Sequence, residues 1–158
     1  MPQHETESVW DYPRPPRVEP SSEHVVVTHG GVVLADTTSS LRVLETSHPP
    51  TYYLPRDSFA DGVLRPADGA SWCEWKGQAA YLDVVAGDEA LGAIAWTYPD
   101  PSPRYASLLD HVALYPGRVD VCTVDGEVVE PQPGSFYGGW ITSRVTGPFK
   151  GAPGTSGW

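Results

Sequence analysis

Lysine is nearly absent from this 158-residue sequence: Lys76 and Lys150 stand against eight arginines. Phenylalanine is scarce too, with three residues beside six Trp and eight Tyr. The aromatic set therefore carries polar handles, which suits a partly wet pocket as well as a dry core. Basic runs are missing and the formal net charge is −10. An acidic surface repels phosphate backbones, which argues against a nucleic-acid polymer as partner. No apolar run approaches the roughly 18 residues of a membrane span. Met1 to Asp11 is polar and acidic, with no apolar leader core. The expectation is a cytoplasmic protein that engages no membrane. Cysteine is limited to Cys73 and Cys122, far apart in the chain. Reduced thiols go with that compartment; a disulfide between the two is the alternative. CxxC, HxH and HxxxH spacings are missing, and His4, His24, His29, His48 and His111 are scattered, so no metal site is expected. Phosphate-loop, dinucleotide and serine-hydrolase motifs are missing as well.

What is present describes one domain, long enough to bury a core without metal or disulfide staples. Seventeen Pro and sixteen Gly imply many turns and few long helices. Residues 1–23 read as an extended arm, because Tyr12-Pro13-Arg14-Pro15-Pro16-Arg17 favours polyproline II. Residues 24–130 carry short β-branched segments separated by turn signals roughly every ten residues. Val25-Val26-Val27-Thr28, Thr51-Tyr52-Tyr53-Leu54 and Val119 to Val124 are examples. The fold class is mainly β: a single-domain sandwich or a barrel-like, tent-like sheet. One short helix is expected over Tyr105 to Leu109, with Ser102 as cap and Pro103 near the first turn. Residues 131–158 form an irregular Gly/Pro-rich tail with isolated Phe136, Tyr137, Trp140, Phe149 and Trp158. Arm and tail are the segments through which a homo-oligomer would form.

Chemistry concentrates in Trp72 to Tyr81. Two strands flank a bend at Lys76-Gly77-Gln78, with Cys73 and Trp75 on one face and Trp72, Glu74 and Lys76 on the other. A twist at Gly77 would turn Lys76 inward, and a buried lysine needs a carboxylate. Glu45, just ahead of Pro49-Pro50, is the candidate. A solvated lysine at a turn is the alternative. Cys73 reads either as a nucleophile or as a small hydrophobe, with no Cys-His motif around it. Trp96 and Tyr98 share a strand face. One tyrosine of the Tyr52-Tyr53 pair must face outward or into a cleft, and His111 follows the short helix near a cleft. The candidate site is therefore a polar pair, Lys76 and Glu45, in catalytic position. A ligand-binding set of Tyr53, Cys73, Trp75, Tyr81, Trp96, Tyr98 and His111 surrounds it.

At Leu44-Glu45-Thr46, Tyr52-Tyr53-Leu54-Pro55, Cys73-Glu74-Trp75-Lys76-Gly77, Ala80-Tyr81 and Trp96-Thr97-Tyr98-Pro99 the chain resembles the DUF427 family. The likeness runs across about residues 24–115, and Phe136 to Gly151 is similar to an extension carried by some members. The resemblance implies a compact, mainly β, cytosolic protein of bacterial or fungal type, and some classifications attach a nucleotidyltransferase label to it. The usual transferase machinery is a Gly-Ser turn followed by two spaced carboxylates that hold magnesium. Asp120 and Asp125 have no such turn before them. Three readings stand. A small molecule binds in an aromatic-lined pocket against Lys76 and Glu45. Alternatively, Lys76 holds a nucleotide phosphate or acts as a base tuned by Glu45. In the third, the domain is a non-catalytic scaffold. No cofactor is assigned by any of them.

Overall fold

Alternation of side chains along extended segments, not helical periodicity, organises this chain. The computed structural model describes residues 6–73, 75–133 and 138–151. In chain order, β1 (Glu7–Ser8), β2 (Arg17–Ser21), β3 (Val25–His29), β4 (Val32–Thr37) and β5 (Ser40–Leu44) come first. β6 (Thr51–Pro55), β7 (Leu64–Cys73), β8 (Gly77–Ala86), β9 (Glu89–Thr97) and β10 (His111–Leu114) follow. β11 (Val121–Val124), β12 (Glu127–Val128), β13 (Glu130–Pro131), β14 (Trp140–Ile141) and β15 (Val145–Thr146) complete the described strands. Seven of them make an antiparallel sheet in the order β2-β5-β6-β10-β9-β8-β7, and four make a second, β12-β11-β3-β4. The large sheet keeps two free edges, β2 and β7, so it is an open sheet facing a smaller one rather than a closed barrel.

The main core lies where the inner faces of the two sheets meet. Val25 and Val27, Leu34, Tyr52 and Leu54, Leu82 and Val84, Val112 and Leu114, and Cys122 and Val124 all point into it. Their spacing of two within each strand is the sandwich signature. Residues between them face the other way. On the large sheet that outer face is not bare: Val43, Tyr53, Ala79, Tyr98, Tyr105, Leu108 and Ala113 form a second buried cluster there. Tyr52 and Tyr53 are therefore both buried, on opposite sides of one strand.

Four expectations need correction. The short helix is a kinked 3₁₀ segment, Pro103–Leu108, and the Ser102 side chain does not cap it. It is one of four short 3₁₀ segments among the described residues. The hairpin bends earlier than Lys76-Gly77-Gln78, because Gly77 already pairs with Cys73 and Gln78 with Trp72. Both cysteines are free, as the reduced-thiol reading expects, and the disulfide alternative falls. Within the stretch read as arm, Arg17–Ser21 pairs with β5 along its whole length, and Val9 and Tyr12 are buried against Leu44 and Val145. Trp140, from the stretch read as tail, is 1% exposed in the main core and tilts against Tyr52 at 5.0 Å between ring centroids. Phe136, Tyr137 and Trp158 lie outside the described residues. No helix among the described residues is long and apolar enough to cross a membrane.

A buried ionic cluster ties the chain ends to the sheet. Arg42 sits on the inner face of β5 with no exposed surface. Its Nη1 donates to Glu19 at 2.7 Å, and its Nη2 donates to Glu7 at 2.7 Å and to the Tyr12 hydroxyl at 3.2 Å. Arg144 reaches Glu7 at 3.2 Å and Glu23 at 2.9 Å. Tyr12 donates to Glu7 at 2.6 Å and Tyr52 to Glu23 at 2.8 Å. Burial alone would raise the Glu7 pKa. The hydrogen bonds from Arg42 and Tyr12 and the two guanidinium charges outweigh it and hold the group at about 2.

The folded-state value of Glu7 lies below its unfolded one. Its contribution to stability is therefore complete above roughly pH 4.5 and disappears as pH falls toward about 2. Urea midpoints of the wild type should decline across that window, and Glu7→Gln should flatten the decline. Trp140→Ala should cost about 3–5 kcal/mol by denaturant unfolding, the range for emptying a buried aromatic site.

Candidate functional site

The outer face of the large sheet carries a cavity of about 250 Å³, and period two explains its walls. Thr51 and Tyr53 come from β6, Ala79 and Tyr81 from β8, Trp96 from β9, Tyr98 just after it, and Tyr115 just after β10. Register sets them side by side: Tyr81 and Ala113 both pair with Trp96, from its two neighbouring strands. Small residues at 79 and 113 leave room between the rings. Tyr53 meets Trp96 edge-on, with centroids 6.5 Å apart, and tilts against Tyr98 at 6.2 Å. Trp96 also contacts Tyr115 at 4.7 Å. The Trp96 indole N–H donates to the Tyr53 hydroxyl at 3.1 Å. Burial pushes the phenols of Tyr53 and Tyr98 above the ordinary tyrosine value.

Lys76 closes the cavity from the turn between β7 and β8. Two features place it. Gly77 takes φ +108°, a conformation that side chains avoid, and a Cβ there would sit 3.3 Å from the Asp100 carbonyl. Ser102 then grips the turn: its N–H donates to the Lys76 carbonyl at 2.9 Å and its Oγ to the Trp75 carbonyl at 2.8 Å. Pro99, Pro101 and Pro103 keep that gripping segment extended. The Lys76 ammonium lies 5.8 Å from the Tyr98 ring centroid. Burial favours the neutral amine. Tyr53, Cys73 and the Glu45 carboxylate outweigh it, and the Lys76 pKa rises above its ordinary value. The amine is thus charged at neutral pH.

The residues singled out in the sequence are divided by the structure. Lys76, Tyr53, Tyr81, Trp96 and Tyr98 line the cavity. Cys73 and Trp75 pack on the second cluster beside it. Glu45 is outside the lining. Its carboxylate lies 3.6 Å from the Arg14 guanidinium and reaches Lys76 through space only. His111 is elsewhere, in a separate open cavity of about 470 Å³ with Pro55, Arg56, Asp57 and Asp110. The bend at 109–110 turns its ring away, and its Nδ1 hydrogen bonds the Leu109 carbonyl at 2.9 Å. Thr51, Ser71, Ala79 and Tyr115 were missed. Counting by twos from Tyr53, Tyr81 and Ala113 would have found Thr51, Ala79 and Tyr115; no local signal marks Ser71.

Residues 17–125 match the model of a domain of unknown function, DUF427, which carries the name NTP_transf_9. The chain belongs to the DUF427 family. The DUF427 match opens on the first residue of β2 and closes one residue past β11, so it contains Glu45 and the whole cavity lining. It is wider at both ends than the likeness first read from the sequence. No curated protein matches this DUF427 chain.

Gly77→Ala should cost about 1–3 kcal/mol, the range for a non-glycine residue held in a disfavoured backbone region. It should also shift tryptophan emission, because the Lys76 turn must move. Denaturant unfolding followed by fluorescence measures both.

Proposed function

We propose that this domain binds a small molecule in the aromatic cavity on the outer face of its large sheet, with Lys76 as the charged contact. One observation carries the reading. Lys76 is the one charged side chain among the described residues lining a cavity otherwise made of rings, hydroxyls and alanine. Small-molecule sites are mostly apolar hollows with a few placed polar groups. In this reading Glu45 acts from behind the wall, holding the amine in its charged form. A lysine kept protonated serves as a cationic anchor rather than as a base.

The name attached to the family model points to nucleotidyl transfer, which asks for paired carboxylates at the substrate. Asp120 and Asp125 are occupied with turns at opposite ends of the small sheet. Asp120 accepts from the Gly30 N–H at 2.8 Å and Asp125 from the His24 N–H at 2.8 Å. Neither lines the cavity. A second reading, docking of a protein partner, rests on Trp72, which is 75% exposed on the edge strand β7.

A thermal-shift screen of small carboxylates, phenols and nucleotides should find compounds that raise Tm at millimolar concentration. Lys76→Met should weaken their binding about ten-fold, the scale of one lost charge-assisted hydrogen bond. A screen in which no compound shifts Tm would sink the reading.

A further inference from the structure

Hydrogen-bond bookkeeping in the cavity narrows the ligand class; this step rests on the small-molecule reading above. A phenol offers one O–H to donate and two lone pairs to accept. At Tyr53 one lone pair is taken, by the Trp96 indole N–H at 3.1 Å. Among the described residues no acceptor is paired with the Tyr53 O–H, so that proton is available to a ligand. Lys76 has three N–H donors and no lone pair. Two donors therefore face the same cavity, one of them cationic. Among the described residues no carboxylate lines the cavity and none is within ion-pair distance of Lys76; Glu45 is held by Arg14 instead.

The shape adds a second restriction. About 150 Å³ of cavity admits one benzene ring, and this cavity measures about 250 Å³. That is below the common range for drug-sized ligands. The ring faces and edges of Tyr81, Trp96, Tyr98 and Tyr115 supply walls on which a flat ligand stacks. An ammonium withdrawn from water without a hydrogen-bonded anion is costly, and an anionic ligand would supply that partner.

We infer that the ligand is a planar, single-ring aromatic compound bearing an oxyanion, its charged oxygen seated between the Tyr53 hydroxyl and the Lys76 ammonium. The ring then lies against the tyrosines and Trp96. Neutral aromatics of the same shape lose the two donor contacts and leave Lys76 without its anion.

The test uses 4-nitrophenol, whose anion absorbs in the visible, with nitrobenzene as the neutral shape control. Both are titrated into the full chain at a pH where the free dye is half ionised. Binding is followed by quenching of tryptophan emission and the ionised fraction by absorbance. The expected result is an anion-to-neutral ratio in the bound dye about ten-fold that of the free dye, with nitrobenzene weaker by a similar factor. Tyr53→Phe and Lys76→Met should each remove most of that preference while near-UV circular dichroism stays native. If the dye and nitrobenzene bind equally and the bound dye ionises no more than the free dye, the oxyanion assignment is overturned and the small-molecule cavity survives. If neither compound binds at millimolar concentration, both fall together. The wild-type comparison decides the matter even where a variant does not fold.

Discussion

A guanidinium with no exposed surface fixes the register of this protein. Arg42 faces inward on β5, paired across the ladder with Glu19 on one side and Tyr52 on the other. A charge in that position is tolerated only when it is paired and hydrogen-bonded. Glu7, Glu19 and Tyr12 engage both of its Nη groups, and its Nε has no hydrogen-bond partner among the described residues. A slip of one residue would send Arg42 to the outer face and its neighbours inward. Leu41 and Tyr53, which form the next pair along the same two strands, would turn with it. The orientation of Tyr53 toward the cavity is thus set on the opposite side of the sheet, by a charge that can be satisfied on one face only.

The same cluster explains how much of the fold could be read from the sequence. Strand after strand was legible because β-branched and aromatic residues alternate between turn signals, as in Thr51 to Pro55 and Ala79 to Val85. The cavity was half legible for the same reason: Trp96 and Tyr98 share a face by simple counting, and Gly77 marks where the chain must twist. The roles of Glu7, Arg144 and Trp140 were not legible. Their partners lie dozens of residues away, and a Pro- and Gly-rich segment with isolated aromatics looks alike whether those rings are buried or wet. His111 failed for a local reason: Asp110 adopts φ 60° and redirects the chain just before it. Ser102 failed because its cap role and its actual grip on the Lys76 turn require the same residue type.

Charge is handled in opposite ways on the two faces of the large sheet. Inward, two arginines and three glutamates are bound to one another, with one carboxylate in excess. Outward, Glu45 is drawn to Arg14, and Lys76 keeps a thiol, an aromatic face and phenols for company. The first arrangement serves stability. The second leaves donors aimed into a space that no described side chain occupies.

The pairing of β1 with β15 has its own consequence. The two strands run parallel, Glu7 beside Val145 and Ser8 beside Thr146, and among the described residues neither pairs with a further strand. Terminal segments normally fray independently and at little cost. Here, among the described residues, each is the other's one ladder, reinforced by Glu7 bridging Arg42 and Arg144. Peeling one unhooks the other, so a protease that trims the first few residues would loosen a segment more than a hundred positions downstream.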